Sequence, residues 1–210
     1  MSNFISDANW RYATKKFDAT KKIPAADLAT LKEAIRLSSS SYGLQPYKVL
    51  IIENPEIRAK LQPAAWGQTQ IVDASHIIVF ANTTNIGGTE IDTYFKDLTE
   101  IRGIPMEAVQ GYADFMKSKV TSLSLESRNI WTAKQTYIAL SNLLNAAAEL
   151  KIDVTPMEGF DATQFNEILG LDKLGLNAAV IAAVGYRHTD DDTQHYIKVR
   201  KSNEELFINL

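Results

Sequence analysis

Residues Asn129–Leu150 constrain the fold of this chain more than any other stretch. Trp131, Ala133, Tyr137, Ala139, Leu140, Leu143, Leu144, Ala146, Ala147 and Leu150 fall at helical spacing and cover most of a helix's circumference. A surface helix of a globular protein is apolar on one stripe. A helix that is apolar nearly all round has to be buried on nearly all sides. In a chain of 210 residues, that predicts a central helix or one shared with a second subunit.

The rest of the pattern supplies layers for such a helix to pack between. Tyr47–Glu53, His76–Ala81 and Ala178–Val184 are short apolar runs that read as strands, the last two as buried ones. Helices are expected over 3–13 and over Ala25–Ser38, where Pro24 suits a first turn and Leu28, Leu31 and Ile35 share a face. Further helices are expected over Pro55–Gln62 and over 89–127, the latter broken in two at Gly103-Ile-Pro105. Residues 152–160 carry Pro156 and Gly159 and are too short for a helix. Asp161-Ala-Thr-Gln164 resembles a capping box for a helix running to Gly170. Strands separated by helices point to an α/β or α+β layered fold. With no repeats and no low-complexity linker, residues 1–210 read as one domain.

Composition narrows the function. A net charge of −3 and a pI near 5.7 argue against a nucleic-acid binder. The absence of cysteine excludes disulfides, thiolate metal sites and a cysteine nucleophile. Met1-Ser-Asn-Phe-Ile-Ser-Asp-Ala does not read as a signal peptide, and no window reaches about 18 uninterrupted apolar residues. A cytoplasmic protein that neither enters a membrane nor binds nucleic acid is expected. Dinucleotide and P-loop glycine motifs are missing; Gly170 and Gly175 have the P-loop separation, but Leu176 follows them. No Gly-x-Ser-x-Gly elbow is present. His188-Thr-Asp-Asp-Asp-Thr-Gln-His195 could be drawn as a metal site but reads better as a solvated polar loop, and His76 reads as a hydrogen-bonded strand-edge residue. No convincing nucleophile or acid–base pair emerges, so any chemistry is expected to be carried by a cofactor.

One segment stands out against the acidic background. Arg11-Tyr-Ala-Thr-Lys-Lys-Phe17 holds three cations and no carboxylate, and Arg11 and Lys15 are four apart. Such a pair could hold an anion with a flat polar edge. On these residues alone, a solvated basic turn is the better reading.

Arg11-Tyr-Ala-Thr-Lys15 with Phe17, Ser38–Ser41 with Gln45-Pro46, Asp73-Ala-Ser-His76 before an apolar strand, Pro156-Met-Glu-Gly-Phe160 and Lys198-Val-Arg200 together resemble the FMN-dependent nitroreductases. The resemblance runs from about residue 8 to residue 201 and lies nearest the oxygen-insensitive NAD(P)H nitroreductase and dihydropteridine reductase branch. It implies an α+β fold with a central mixed sheet flanked by helices. It also implies an intertwined homodimer with FMN at the interface, which would account for the over-apolar helix and for the apolar residues Leu206, Phe207, Ile208 and Leu210.

Roles follow from the resemblance residue by residue. Arg11, Lys198 and Arg200 would hold the FMN phosphate, with Tyr12 and Ala13 beside them, because a phosphate dianion favours fixed cations. Lys15 would stand at the flavin N1/O2 edge. A second family lysine at that edge is replaced by Gln70, which brings no charge, and Gln68 belongs to the same segment. Pro156, Met157, Glu158 and Gly159 would lie along the ring, with a backbone N–H near Glu158 reaching N5. Ser39, Ser40, Ser41 and Gln45 would form a cofactor loop, in which Gly43 stands where relatives often have asparagine. Trp66, Tyr112 and Phe115 are candidates for the substrate pocket. The implied activity is ping-pong, two-electron transfer from NADH or NADPH through FMN to nitroaromatics, quinones or pterins. Alternatives are a non-catalytic flavin-binding or regulatory protein, or a member using FMN for another reaction such as dehalogenation or flavin breakdown.

Overall fold

A computed structural model describes residues 3–210. Four strands form one sheet in the order β1-β2-β4-β3: β1 (Tyr47–Ile52), β2 (His76–Thr83), β3 (Asp153–Met157) and β4 (Leu176–Gly185). All three pairings are antiparallel, so the mixed sheet implied by the resemblance is not found among the described residues. The strands read as continuous apolar runs because helices cover both faces. With side chains alternating across the pleat, Ile77, Val79, Ala81, Ile181 and Ala183 face one core and Ile78, Phe80, Val180, Ala182 and Val184 face the other.

The first face is covered by α3 (Pro55–Ala64), the short α4 (Gln70–Asp73) and α8 (Ala162–Leu169), which contribute Leu61, Ile71 and Phe165. The second is covered by α2 (Ala25–Arg36) and the long α7 (Leu125–Glu149) through Leu31, Ile35, Ala139, Leu140 and Leu143. A satellite core forms between α5 (Gly88–Arg102) and α6 (Gln110–Thr121) around Ile91, Phe95, Met116 and Val120. The chain begins with α1 (Asn3–Trp10) and ends beyond α9 (Asn203–Leu206). No helix among the described residues is long and apolar enough to cross a membrane.

Several boundaries differ from the sequence pattern for local reasons. Helix α1 stops at Trp10 rather than residue 13, because residues 11–17 extend along the sheet edge. Helix α7 starts at Leu125 rather than 129, because the Ser124 hydroxyl accepts from the Ser127 N–H at 3.1 Å as an N-cap. Residues 153–157 form a strand despite Pro156, which is tolerated because β3 is an edge strand. Helix α7 is buried on its sheet side, but Ile130, Tyr137 and Ile138 remain exposed within one chain.

Candidate functional site

The basic stretch is a clamped ribbon and not a solvated turn. Thr14 and Phe17 are buried, Phe17 forms a β-bridge with Arg187, and the His188 N–H donates to the Lys16 carbonyl at 2.8 Å. The main clamp is Asp191, 2% exposed. Its carboxylate accepts from the Tyr12 hydroxyl at 3.0 Å and from the backbone N–H groups of Lys15 at 2.8 Å and Lys16 at 3.1 Å. Thr193 donates to its other oxygen. Burial pushes the Asp191 carboxyl up, but the bonds from Thr193, Lys15, Lys16 and Tyr12 outweigh it and hold the pKa below the usual range. The polar loop containing Asp191 read as solvated from sequence; this aspartate is instead the anchor of the basic ribbon. Nothing in the residue pattern distinguishes it from Asp190 and Asp192.

A second anchor lies one step along. Asp153, at the start of β3, accepts from the Arg187 Nε at 2.9 Å, its Nη2 at 2.6 Å and its backbone N–H at 2.8 Å. The Arg187 guanidinium lies over the Trp10 ring at 4.3 Å and the Tyr12 ring at 4.5 Å, favourable cation–π contacts on both sides. The Thr155 hydroxyl donates to the Thr14 carbonyl at 2.5 Å. The basic ribbon is thereby fixed beside β3, and the chain passes directly from β3 to Glu158 and Gly159.

Lys198 joins this group from the far end of the sequence. Its Nζ donates to the carbonyls of Ala8 at 2.6 Å, Asn9 at 3.2 Å and Arg11 at 2.5 Å. Burial, together with the charges of Arg11 and Arg200, holds its pKa below the usual lysine value. The Arg11 side chain has no hydrogen-bonding or ion-pair partner among the described residues. Arg200 bonds only the Val199 carbonyl, at 2.6 Å. The side chain of Lys15 is likewise exposed and without a partner, and Ala13 beside it is exposed.

Two further elements close around Glu158–Gly159. The Tyr137 hydroxyl, on α7, donates to the Glu158 carboxylate in a short hydrogen bond. Burial first and the Glu158 carboxylate second push the Tyr137 pKa up to about 12. From the other side, Gln68 Nε2 donates to the Gly159 carbonyl at 2.7 Å, and Trp66 packs against Gly159 while staying 72% exposed. A Cβ on Gly159 would lie 2.9 Å from Trp66 Cζ3, so only glycine permits this approach. Trp66 and Gly67 both take left-handed backbone angles, φ 57° and 72°. Arg58, buried in α3, donates to the carbonyls of Ile71, Val72, Ala74 and Ser75 and so fixes the segment after Gln70. Gln70 is 8% exposed, and its amide has no hydrogen bond among the described residues.

The serine loop is held by α2 and α7. The Ser41 N–H donates to Gln135 Oε1 at 2.8 Å, and the Ser40 hydroxyl accepts from the Gln45 N–H at 2.9 Å. Ser39 is exposed. Gln45 Nε2 is engaged by the Arg36 carbonyl at 2.9 Å and the Ser38 carbonyl at 3.3 Å, so this amide shapes the loop. Tyr112 and Phe115 are exposed on α6, outside the satellite core, and Tyr112 contacts the rings of Tyr42, Phe95 and Phe115. Trp66 is not among their ring partners. One chain therefore unites Arg11, Tyr12, Lys15, Lys198 and Arg200 with the Pro156–Gly159 segment, Trp66 and Gln68, and leaves Tyr112 and Phe115 apart.

The arrangement can hold an anion at one end, offer backbone donors and an indole along its length, and present no protein nucleophile. Comparisons with known proteins identify the family. The Nitroreductase family model matches residues 8–186. A protein of Bacillus subtilis named as an NAD(P)H nitroreductase, YfkO, is 37% identical over 198 residues, covering 89% of this chain and 90% of its own length. The major NAD(P)H-flavin oxidoreductase of Aliivibrio fischeri is 34% identical, covering 98% of both chains. Among solved structures, ydfN of Bacillus subtilis superposes with a TM-score of 0.89 at 19% identity over 99% of this chain and 98% of its own. A nitroreductase of Exiguobacterium sibiricum solved in complex with FMN does so with a TM-score of 0.84 at 20% identity, covering 100% and 98%. With the family model spanning most of the sequence and full-length relatives above 30% identity, this chain belongs to the nitroreductase family.

Proposed function

We propose that this protein is an FMN-dependent NAD(P)H oxidoreductase that reduces electron-poor aromatic acceptors such as nitroaromatics, quinones or pterins. The observation that carries the reading is the cluster of Arg11, Lys198 and Arg200, in which neither guanidinium has a carboxylate partner among the described residues. A half-exposed cation group left open in this way fits a phosphate. The residues along the rest of the site suit the ring of the same molecule: a glycine that lets the backbone approach and an exposed indole. FMN fits what is present.

Bound FMN would supply two-electron redox chemistry between NADH or NADPH and the acceptor. The chain's own residues bind and orient. Arg11 and Arg200 would hold the phosphate and Lys15 would favour negative charge at the N1/O2 edge. The backbone at Glu158–Gly159 would donate toward N5, held in place by Tyr137 and Gln68. Trp66 would offer a flat surface for stacking beside the ring. Tyr112 and Phe115, which share no ring contact with Trp66, would reach such a site from a second copy.

That last point supports a homodimer. Strand β1 is an edge strand, and beside it α2 and α5 leave a groove of about 1,090 Å³ lined by Ile35, Tyr47, Val49, Ile51, Ile86 and Ile101. The residues Leu206, Phe207, Ile208 and Leu210 lie exposed, Ile208 at 85%, as do Tyr137 and Ile138 on α7. Light scattering of the full chain against a 1–202 truncation tests this; an unchanged mass would remove the tail from the interface. The same reading places the protein in the cytoplasm, where reduced nicotinamides are available.

The decisive assay is anaerobic. FMN reconstituted on the protein should bleach with NADH or NADPH and recover its absorbance on adding nitrofurazone or menadione. Bound FMN that neither donor bleaches would point instead to a non-catalytic flavin protein.

A further inference from the structure

We propose that Arg58 is a positioning residue for the electron acceptor: its buried guanidinium is the peg that holds the 66–70 arm against Gly159, and through Trp66 it sets how an acceptor is held. This role rests on the flavin reading for the identity of the acceptor; the placing of the arm stands without it.

Arg58 is 3% exposed, and no carboxylate pairs with it among the described residues; Asp73 and Glu53 bear on it only through their charge. A charge buried without an ion-pair partner is costly, so its hydrogen bonds have to be nearly complete. Four of its five N–H donors are used. Nε donates to the Ile71 carbonyl at 2.7 Å, Nη2 to the carbonyls of Val72 at 2.7 Å and Ala74, and Nη1 to that of Ser75 at 3.2 Å. Helix α4 is a single turn, and its last carbonyls have no partner inside it. Ile71 and Ala74 also bury in the core, but that attachment has no direction. A planar fork that reaches several carbonyls at once fixes the turn's orientation as well.

What the peg holds is the arm between α3 and α4. The near end of the arm is tied to α3 by the Trp66 N–H, which donates to the Pro63 carbonyl at 3.0 Å, and by the Gly67 N–H, which donates to the Gln62 carbonyl at 3.0 Å. The far end is α4, hung on Arg58. Between them Trp66 keeps a left-handed backbone, a conformation that persists in a bulky residue only where its surroundings enforce it. The arm grips Gly159 twice. The indole takes the space that a Cβ would occupy, and Gln68 Nε2 donates to the Gly159 carbonyl at 2.7 Å. Beyond Gly159, the Asp161 N–H donates to the Ala64 carbonyl at 2.8 Å. Helix α3 therefore seats both sides of the contact, and Arg58 closes the side that carries the indole.

Arg58→Lys tests this, because it keeps the charge and replaces the fork by a compact ammonium. Hydrogen–deuterium exchange on the flavin-free full chain should rise several-fold across 66–74 and stay unchanged in β2 and β4; unchanged exchange across 66–74 would overturn the peg. With FMN saturating and NADH as donor, the KM for menadione should rise by about fivefold while kcat stays within about twofold, the signature of lost uniform binding. A residue that only kept the chain folded would lower the active fraction, and so the apparent kcat, at unchanged KM; that result would overturn the proposal. Trp66→Ala should raise KM by itself, and adding Arg58→Lys to it should raise KM no further; additive effects would overturn the coupling. A wild type that reduces no menadione would overturn the flavin reading, and the exchange result would still decide the peg. Should Arg58→Lys not fold, native-state exchange on the wild type in rising urea decides instead: 66–70 and 71–75 should open as one unit, and separate opening would overturn the peg.

Discussion

Asp191→Ala removes the acceptor on which the basic ribbon hangs. The carboxylate takes three bonds from the ribbon, from Tyr12 Oη, Lys15 N and Lys16 N. A buried donor left without its acceptor costs about 1–3 kcal/mol. The side chains of Lys15 and Lys16 are exposed, so water can reach part of this backbone and the lower figure applies. At about 1 kcal/mol per donor the variant should lose about 3 kcal/mol, a large share of an ordinary domain's stability. Urea unfolding followed by tryptophan fluorescence measures it. The pH dependence gives a second check. Because the folded pKa of Asp191 is depressed, its stabilisation is fully present above the unfolded value of about 3.9 and is lost as pH falls through the lower folded value. The gap between wild type and variant should therefore be constant from about pH 7 to pH 5 and narrow below about pH 4. A gap under about 0.5 kcal/mol at pH 7, or one as large in strong acid as at neutrality, would refute the clamp.

Three further outcomes are expected. Gln70→Lys adds a cation at this position and should raise the flavin midpoint potential in a redox titration; an unchanged midpoint removes Gln70 from the ring edge. Gly159→Ala forces a Cβ to within 2.9 Å of Trp66 Cζ3; displacement of the indole should alter Trp66 fluorescence and raise the FMN Kd by about tenfold, ~1.4 kcal/mol, and an unaltered Kd would detach this contact from the site. The Tyr137 phenol should ionise only near pH 12, read as the ultraviolet difference between wild type and Tyr137→Phe, and Glu158→Gln should bring it down toward the ordinary value of about 10.

Periodicity made most of the fold legible. The apolar runs over 76–81 and 178–184 and the helical spacing of 129–150 are signals that tertiary packing does not override. The edge strand β3 was hidden because Pro156 weighs against strand everywhere except at an edge, and which strand is an edge is a property of the whole sheet. The antiparallel order was hidden for a related reason: strands covered on both faces lose the alternation that normally marks antiparallel pairing. In the candidate site, Arg11–Phe17 and Gly159 stood out only through the family resemblance, because a basic run or a lone glycine by itself reads as an ordinary turn. Asp191, Asp153 and Arg187 did not, since their roles come from partners more than 30 positions away. Arg58 looks like any helix-surface arginine until four carbonyls are placed around it.

The hydrogen bond from Lys198 to the Arg11 carbonyl spans 187 positions, and this bears on how the protein is made. The basic ribbon leaves the ribosome long before Asp153, Arg187, Asp191, Lys198 and Arg200. If these residues hold the cofactor as proposed, a peptide stalled short of residue 198 should be colourless however well its sheet had formed.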